Sequence, residues 1–284
     1  MKKFKMQNEK CKIQDSRNNI KNEKGIALII TLLVVTLLTA LIVEFAYSAR
    51  VNLSAAANFR DKQKAYYLAK SGVNFIAGML KDNASKNKAD DIDQMLPPVT
   101  VGDGIVSLKA FDEAAKINIK TIDAKTKARL ERLFEIKGIS AYLLDSIFER
   151  GSYSLVSELR LARGMTDEIY DKVKDYLTVY SDGRININTA GNIVLRVMSS
   201  DITEDLAQRI ISFREKNRFE KNTDLKNVVG ISDAIYASVQ SDIDVKSDNY
   251  SVISTGTVNE VDNTIEAVLK RSGPNITRLY WRNQ

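Results

Sequence analysis

Asp242, Asp244 and Asp248 are the chain's nearest approach to a reactive constellation, three carboxylates close enough in sequence to offer oxygen to a hard cation. Alternate acidic residues in a loop are more often solvated, so calcium stays unsupported by the residues themselves and no cofactor is expected. The other routes to chemistry are closed. There is no histidine, which removes the usual general base and the commonest transition-metal ligand. The only cysteine, Cys11, has no partner for an internal disulfide. No glycine-rich phosphate loop and no nucleophile with an imidazole base occurs. The remaining carboxylates have basic neighbours and read as solvated faces, so an enzyme is not expected.

Charge narrows the partners. The 284 residues carry 42 Lys and Arg against 36 Asp and Glu, a formal net of +6. Residues 1–24 hold eight of those cations and three of the acids, leaving 34 against 33 in the other 260 residues. A nearly neutral body lacks the charge that drives non-specific nucleic-acid binding, and neither nucleic acid nor a small-molecule substrate is expected as a partner.

The basic leader ends at Lys24-Gly25, and residues 26–43 are Ile, Ala, Leu, Val and Thr without a charge. Eighteen helical residues span about 27 Å, close to the hydrocarbon thickness of a bilayer. Ile26, Leu28, Ile29, Ile30, Leu33, Leu37 and Leu41 lie in this run, which no charged residue interrupts. Lys12, Arg17, Lys21 and Lys24 immediately upstream predict a single-pass protein with its N-terminus in the cytoplasm and its body outside. For a bacterial inner membrane, that is the periplasm.

The helical pattern continues. Ala-rich sequence without proline predicts helix to about Lys81, with Tyr66, Ala69, Val73, Ile76 and Leu80 forming one apolar stripe. Arg60-Asp61-Lys62 should face water. The polar stretch 83–93, ending near Pro97-Pro98, reads as a loop. Strands are expected from about Val99 to Phe111 and from Tyr250 to Lys270, and the tail carrying Trp281 reads as frayed. Between them the sequence repeats. Lys116-Ile117-Asn118-Ile119-Lys120-Thr121 matches Arg184-Ile185-Asn186-Ile187-Asn188-Thr189, and Ile139, Leu143 and Ile147 match Ile202, Leu206 and Ile210. Ser157-Glu158-Leu159-Arg160 with Gly164-Met165 matches Thr223-Asp224-Leu225-Lys226 with Gly230-Ile231. Ser140 and Thr203, each after the first of those isoleucines, are expected to cap helices.

The junction Lys24-Gly25-Ile26-Ala27-Leu28 resembles the class III signal of type IV pilins and pseudopilins. That resemblance implies a prepilin peptidase that cuts after Gly25 and methylates Ile26. The fifth residue after the cut is Ile30, where most of the family has Glu. Glu44, fourteen residues further on, does not replace it. Absence of this Glu is associated with the K-type minor pseudopilin of type II secretion. The repeat resembles the helix-hairpin-helix fold, with Gly138 in the first hairpin and Ser199-Ser200-Asp201 in the second. The segments 112–118, 157–166 and 183–190 and the closing strands at 252–271 resemble the minor pseudopilin K (GspK) family.

The resemblance implies an α+β fold. A pilin-like N-terminal helix lies on a small antiparallel sheet, with an inserted all-α domain of two helix-hairpin-helix-like (SAM-like) repeats. The expected boundaries are a cleaved leader at 1–25, the membrane and amphipathic helix at 26–82, the sheet at 83–116 and 244–284, and the insert at 117–243. It also implies minor pseudopilins I and J as partners, and a place at the fibre tip where assembly begins. The family's longer acidic, aromatic insertion is reduced here to Glu149-Arg150-Gly151-Ser152-Tyr153, so its calcium sites do not transfer. A membrane-anchored helix-hairpin-helix protein binding DNA during uptake, or a minor pilin of a type IV pilus, are the alternatives.

Overall fold

The structure, a computed structural model, describes residues 2–85 and 95–284, with side chains described for 25–82 and 96–284. The leader side chains, Cys11 included, and most of the expected loop at 83–93 lie outside these bounds. The chain divides into two units, Met1–Arg60 and Asp61–Gln284. The first consists of helix α1 (Lys2–Ser85) alone, which runs on into the second. Among the described residues one helix, over Gly25–Asp82, is long and apolar enough to cross a membrane.

In the second unit the end of α1 packs on a sheet. After α1 come β1 (Met95–Val101) and β2 (Gly104–Asp112), then the insert, then the sheet's remaining strands. The first copy of the repeat contains β3 (Ile117–Asn118), α2 (Ala124–Ile136), α3 (Tyr142–Arg150), α4 (Asp167–Val173) and β4 (Leu177–Thr178). The second contains β5 (Ile185–Asn186), α5 (Asn192–Arg196), α6 (Glu204–Lys216), α7 (Asp233–Val239) and β6 (Ile243–Asp244). The chain closes with β7 (Asn249–Val258), β8 (Val261–Ser272) and β9 (Asn275–Asn283). The five-stranded sheet has the order β1-β2-β7-β8-β9, with every neighbouring pair antiparallel.

The apolar stripe of α1 lies where its spacing requires. Ala69, Val73, Ile76 and Leu80 are fully buried against Val106, Leu108, Val252 and Ile265, with Tyr66 at the margin. Burial of each large aliphatic side chain contributes about 1.5–3 kcal/mol. Close approach of helix and sheet depends on glycine. A Cβ on Gly256 of β7 would overlap the backbone of Ala65 and Ala69, and one on Gly72 would meet Ser254 and Leu108.

Four expectations need correction. Asp61 is buried and accepts from Asn259 Nδ2 at 3.0 Å, because the β7–β8 turn reaches the helix there. The tail is not frayed: β9 pairs with β8, and Trp281, opposite Ala267, packs on the sheet core. Pro97 and Pro98 lie within β1, at a bulge between Leu96 and Val99, where an edge strand tolerates missing donors. Ser140 does not cap α3, whose first turn follows Ala141 without a side-chain cap, whereas Thr203 does accept from Leu206 N at 3.3 Å.

The insert is helical but not purely so. Each copy opens and closes with two-residue strands that pair in parallel, β3 with β4 and β5 with β6. Each copy has its own core, one around Leu130, Leu133, Phe134 and Ile147, the other around Leu195, Leu206, Ile210 and Phe219. The sequence match is thus a match of folded units. Leu143 and Leu206 are both buried, and a Cβ on the matched Gly164 or Gly230 would press on that leucine. Thr166 and Ser232 cap α4 and α7, accepting from Ile169 N and Ile235 N at 3.2 Å.

Candidate assembly segment and the junction of sheet and insert

The residues expected at the processing junction lie on unbroken helix. No atom outside the local backbone comes within 4 Å of the Cβ position at Gly25. Ile26, Leu28, Ile29, Ile30, Leu33, Leu37 and Leu41 are all exposed, as is every residue from 25 to 48. Such a surface has no match in water and is suited to lipid or to other apolar helices. The polar groups within the run are satisfied locally: the hydroxyls of Thr31, Thr36 and Thr39 donate to the carbonyls of Leu28, Leu33 and Val35 at 2.7–2.9 Å. The run therefore presents no charge and no unpaired side-chain hydroxyl to a bilayer.

The second unit has a polar centre where β2 meets the insert. Asp112 ends β2 and caps the short 3-10 turn Glu113–Ala115, accepting from Ala114 N at 2.7 Å. Its other oxygen accepts from Asn186 Nδ2 at 2.7 Å and Thr189 Oγ1 at 2.6 Å, both in the second copy. The neighbouring Glu113 accepts from Thr178 Oγ1 of the first copy and from Lys116 Nζ at 2.7 Å. Two consecutive buried carboxylates thus fasten the end of one strand to both copies. Burial pushes the Asp112 carboxyl above its ordinary range, against the pull of its hydrogen bonds.

A second polar group joins the copies. Arg129 of α2 is buried, donates to Gly183 O at 2.9 Å and pairs with Asp242 at 2.9 Å, while Lys125 reaches the same carboxylate at 2.5 Å. Burial would raise the Asp242 pKa, but hydrogen bonds from Lys125 and Ser241 and the Arg129 charge outweigh it and hold it low. Arg132 donates from Nε to Val197 O at 2.8 Å, a further tie from α2 to the second copy.

The structure engages each of the three aspartates that could have offered oxygen to a cation. Asp242 faces Arg129 and Lys125, Asp244 pairs with Arg184 at 2.9 Å and accepts from Val245 N at 2.7 Å, and Asp248 lies 3.8 Å from Arg271. They do not converge on one point. Of the residues that do converge, Asp112, Glu113, Asn186 and Thr189 fall in segments singled out by family likeness rather than by chemistry, and Thr178 falls in none of them. The local signal was an Asp-Glu pair directly behind an alternating strand, where solvated charge would be unusual.

The comparisons with known proteins agree with this architecture. Residues 185–246, the second copy from β5 through β6, match the family model described as Type II secretion system (T2SS), protein K. The fold matches a solved chain from the crystal structure of the GspK-GspI-GspJ complex of the enterotoxigenic Escherichia coli type 2 secretion system. The TM-score is 0.68 at 17% identity, covering 81% of this chain and 99% of that one. No curated protein matches the sequence. The family match is thus to the second copy of the insert, and the structural match is one of fold. The shared fold is the α+β arrangement of a long N-terminal helix on an antiparallel sheet with a helical insert.

Proposed function

We propose that this chain is a minor pseudopilin of a type II secretion system, of the K type, placed at the tip of the periplasmic pseudopilus and initiating its assembly. It acts as a structural protein, not an enzyme. The observation that carries the reading is the fold match: helix, sheet and insert are matched together in one chain, and the family match falls within the insert. Residues 1–25 form the leader, a prepilin peptidase cuts after Gly25, and Ile26 becomes the methylated N-terminus.

The uncharged Ile30 supports the first position in the fibre. A carboxylate in the bilayer costs roughly 2.5–3.5 kcal/mol on insertion scales, and a subunit that enters first has no preceding amine to pair with it. The lipid-suited surface at Leu28, Ile29, Leu33, Leu37 and Leu41 holds the protein in the inner membrane, with the basic leader cytoplasmic. The second unit lies in the periplasm, where it assembles with minor pseudopilins I and J. The two copies of the insert serve protein packing as helix-hairpin-helix-like units. Gly138, with φ of 64°, forms the first hairpin, and the second uses Ser199-Ser200-Asp201 without glycine.

Intact-mass and N-terminal analysis after co-expression with a prepilin peptidase tests this reading. A chain beginning at methylated Ile26 is expected. Persistence of the Met1 leader would refute the pseudopilin mechanism and leave only an anchored protein. Co-purification with I and J tests the partners separately.

A further inference from the structure

The two edges of the five-stranded sheet are built differently. An unpaired strand edge is a template for another strand, and proteins usually blunt it with proline, bulges or charge. The β1 edge has two of these devices, Pro97-Pro98 and the bulge between Leu96 and Val99. The β9 edge is nine residues long and contains no proline; its irregularity, opposite Val268 and Leu269, leaves the ladder regular from Tyr280 to Asn283, and its charge is all arginine. No strand among the described residues pairs with its outer side.

The direction of the open groups follows from the register. Thr264 and Gln284 exchange both backbone hydrogen bonds, at 2.9 and 3.4 Å. In an antiparallel ladder bonded and non-bonded pairs alternate. The Asn283 and Trp281 positions, opposite Ile265 and Ala267, therefore turn their N–H and C=O groups to the outer side. Leu279 at the β8–β9 irregularity is also exposed.

Charge selects the occupant. The strand Asn275–Asn283 carries Arg278 and Arg282 and no acidic residue. Glu266 stands opposite Arg282 on β8, but Arg278 stands opposite Leu269. If two copies paired antiparallel about Tyr280, Arg278 of each would lie against Arg282 of the other, and like charges directly opposite are destabilising. A strand bearing carboxylates meets no such penalty.

We propose that the outer edge of β9 is a docking surface for an acidic extended segment of another protein, which adds to the sheet as a sixth strand through Trp281 and Asn283. Main-chain bonds supply affinity in this mode, and side chains supply selectivity. The inference stands on the sheet alone and does not depend on the secretion reading.

The test uses the full chain in detergent micelles and two labelled heptapeptides, one alternating Glu and Val, the other Lys and Val. Fluorescence anisotropy should show saturable binding of the glutamate peptide only, with slower amide exchange at Trp281 and Asn283. Asn283→Pro removes an outward N–H while sparing the bonds to β8, and should abolish binding with an unchanged circular dichroism spectrum. Arg278→Glu with Arg282→Glu should weaken the glutamate peptide by about tenfold, near 1.4 kcal/mol, and admit the lysine peptide. Equal binding of both peptides, or unaltered exchange at β9, would overturn the proposal. So would a wild-type dimer in sedimentation that Asn283→Pro dissolves, since a second copy would then be the occupant.

Discussion

The Asp112 carboxylate accepts from the Asn186 side-chain amide at 2.7 Å, joining the end of β2 to a strand 74 residues further along the chain. The same oxygen takes the Thr189 hydroxyl, and the other takes Ala114 N. The Asn186, Thr189 and Ala114 groups are all donors, so each oxygen acts as an acceptor toward them. Asp112→Asn would turn an amide toward Asn186 Nδ2 and leave buried donors facing each other. A loss of about 1–3 kcal/mol in chemical denaturation is expected. The exchange Asp112→Asn with Asn186→Asp restores a donor opposite an acceptor and should recover most of that loss. An additive double variant would show that the pair does not interact as described.

The pH dependence of two aspartates should have opposite signs. The Asp112 carboxyl is raised above its ordinary 3.8 by burial, so the folded state holds its proton more tightly than the unfolded chain. Its contribution is full below 3.8 and is lost as pH rises through the folded value. Compared with Asp112→Asn, the wild type should therefore gain stability on acidification from neutral pH toward pH 4. Asp242 is held below 3.8 by its Lys125, Ser241 and Arg129 contacts, although burial opposes them. Its contribution is present above 3.8 and is lost as pH falls through the folded value. Asp242→Asn should cost most at neutral pH, about 3 kcal/mol because Arg129 is left buried without its counter-charge. That gap should close in acid, as read by urea denaturation at several pH values.

These polar centres were the least legible part of the chain. The stripe Ala69-Val73-Ile76-Leu80 and the repeat could be read because burial leaves a period in the sequence, and the alternation of β7 is equally regular. Asp112 and Asn186 carry no period that links them, since their contact depends on how the insert returns to β2. Asp61 was misplaced for the same reason: the turn that buries it is 198 residues away. Trp281 read as tail because β9 shows no clean alternation, only partial burial at Ile276, Tyr280 and Trp281. The membrane segment was the reverse case, legible from hydropathy with no tertiary partner needed.

The repeat gives a matched pair of variants. Gly164 and Gly230 have φ of 87° and 100°, a region in which side chains other than glycine are strained. An added Cβ would lie 2.7 Å from Leu143 Cδ2 at Gly164 but 3.2 Å from Leu206 Cδ1 at Gly230. Gly164→Ala and Gly230→Ala should each destabilise by at least about 1 kcal/mol, with Gly164→Ala the worse. Thermal melts of the two variants would check both the direction and the order, and equal effects would mean that Leu143 yields freely.

The β7–β8 turn stores strain that can be released. Asn259 and Glu260 both lie at positive φ, 47° and 65°, the geometry of a two-residue hairpin turn that favours Asn-Gly. Asn259 fits its position and also donates to the buried Asp61. Glu260 is the misfit, an L residue in the left-handed region at a cost of roughly 1–2 kcal/mol. Glycine would remove that strain but add freedom to the unfolded chain, worth about 0.5–1 kcal/mol in the other direction. Glu260→Gly should therefore stabilise by about 0.5–1 kcal/mol, seen as a rise of a few degrees in Tm. Asn259→Ala should do the opposite, because it places alanine at positive φ and leaves Asp61 without its Asn259 donor. Destabilisation by both changes would show that the turn adopts a different geometry in solution.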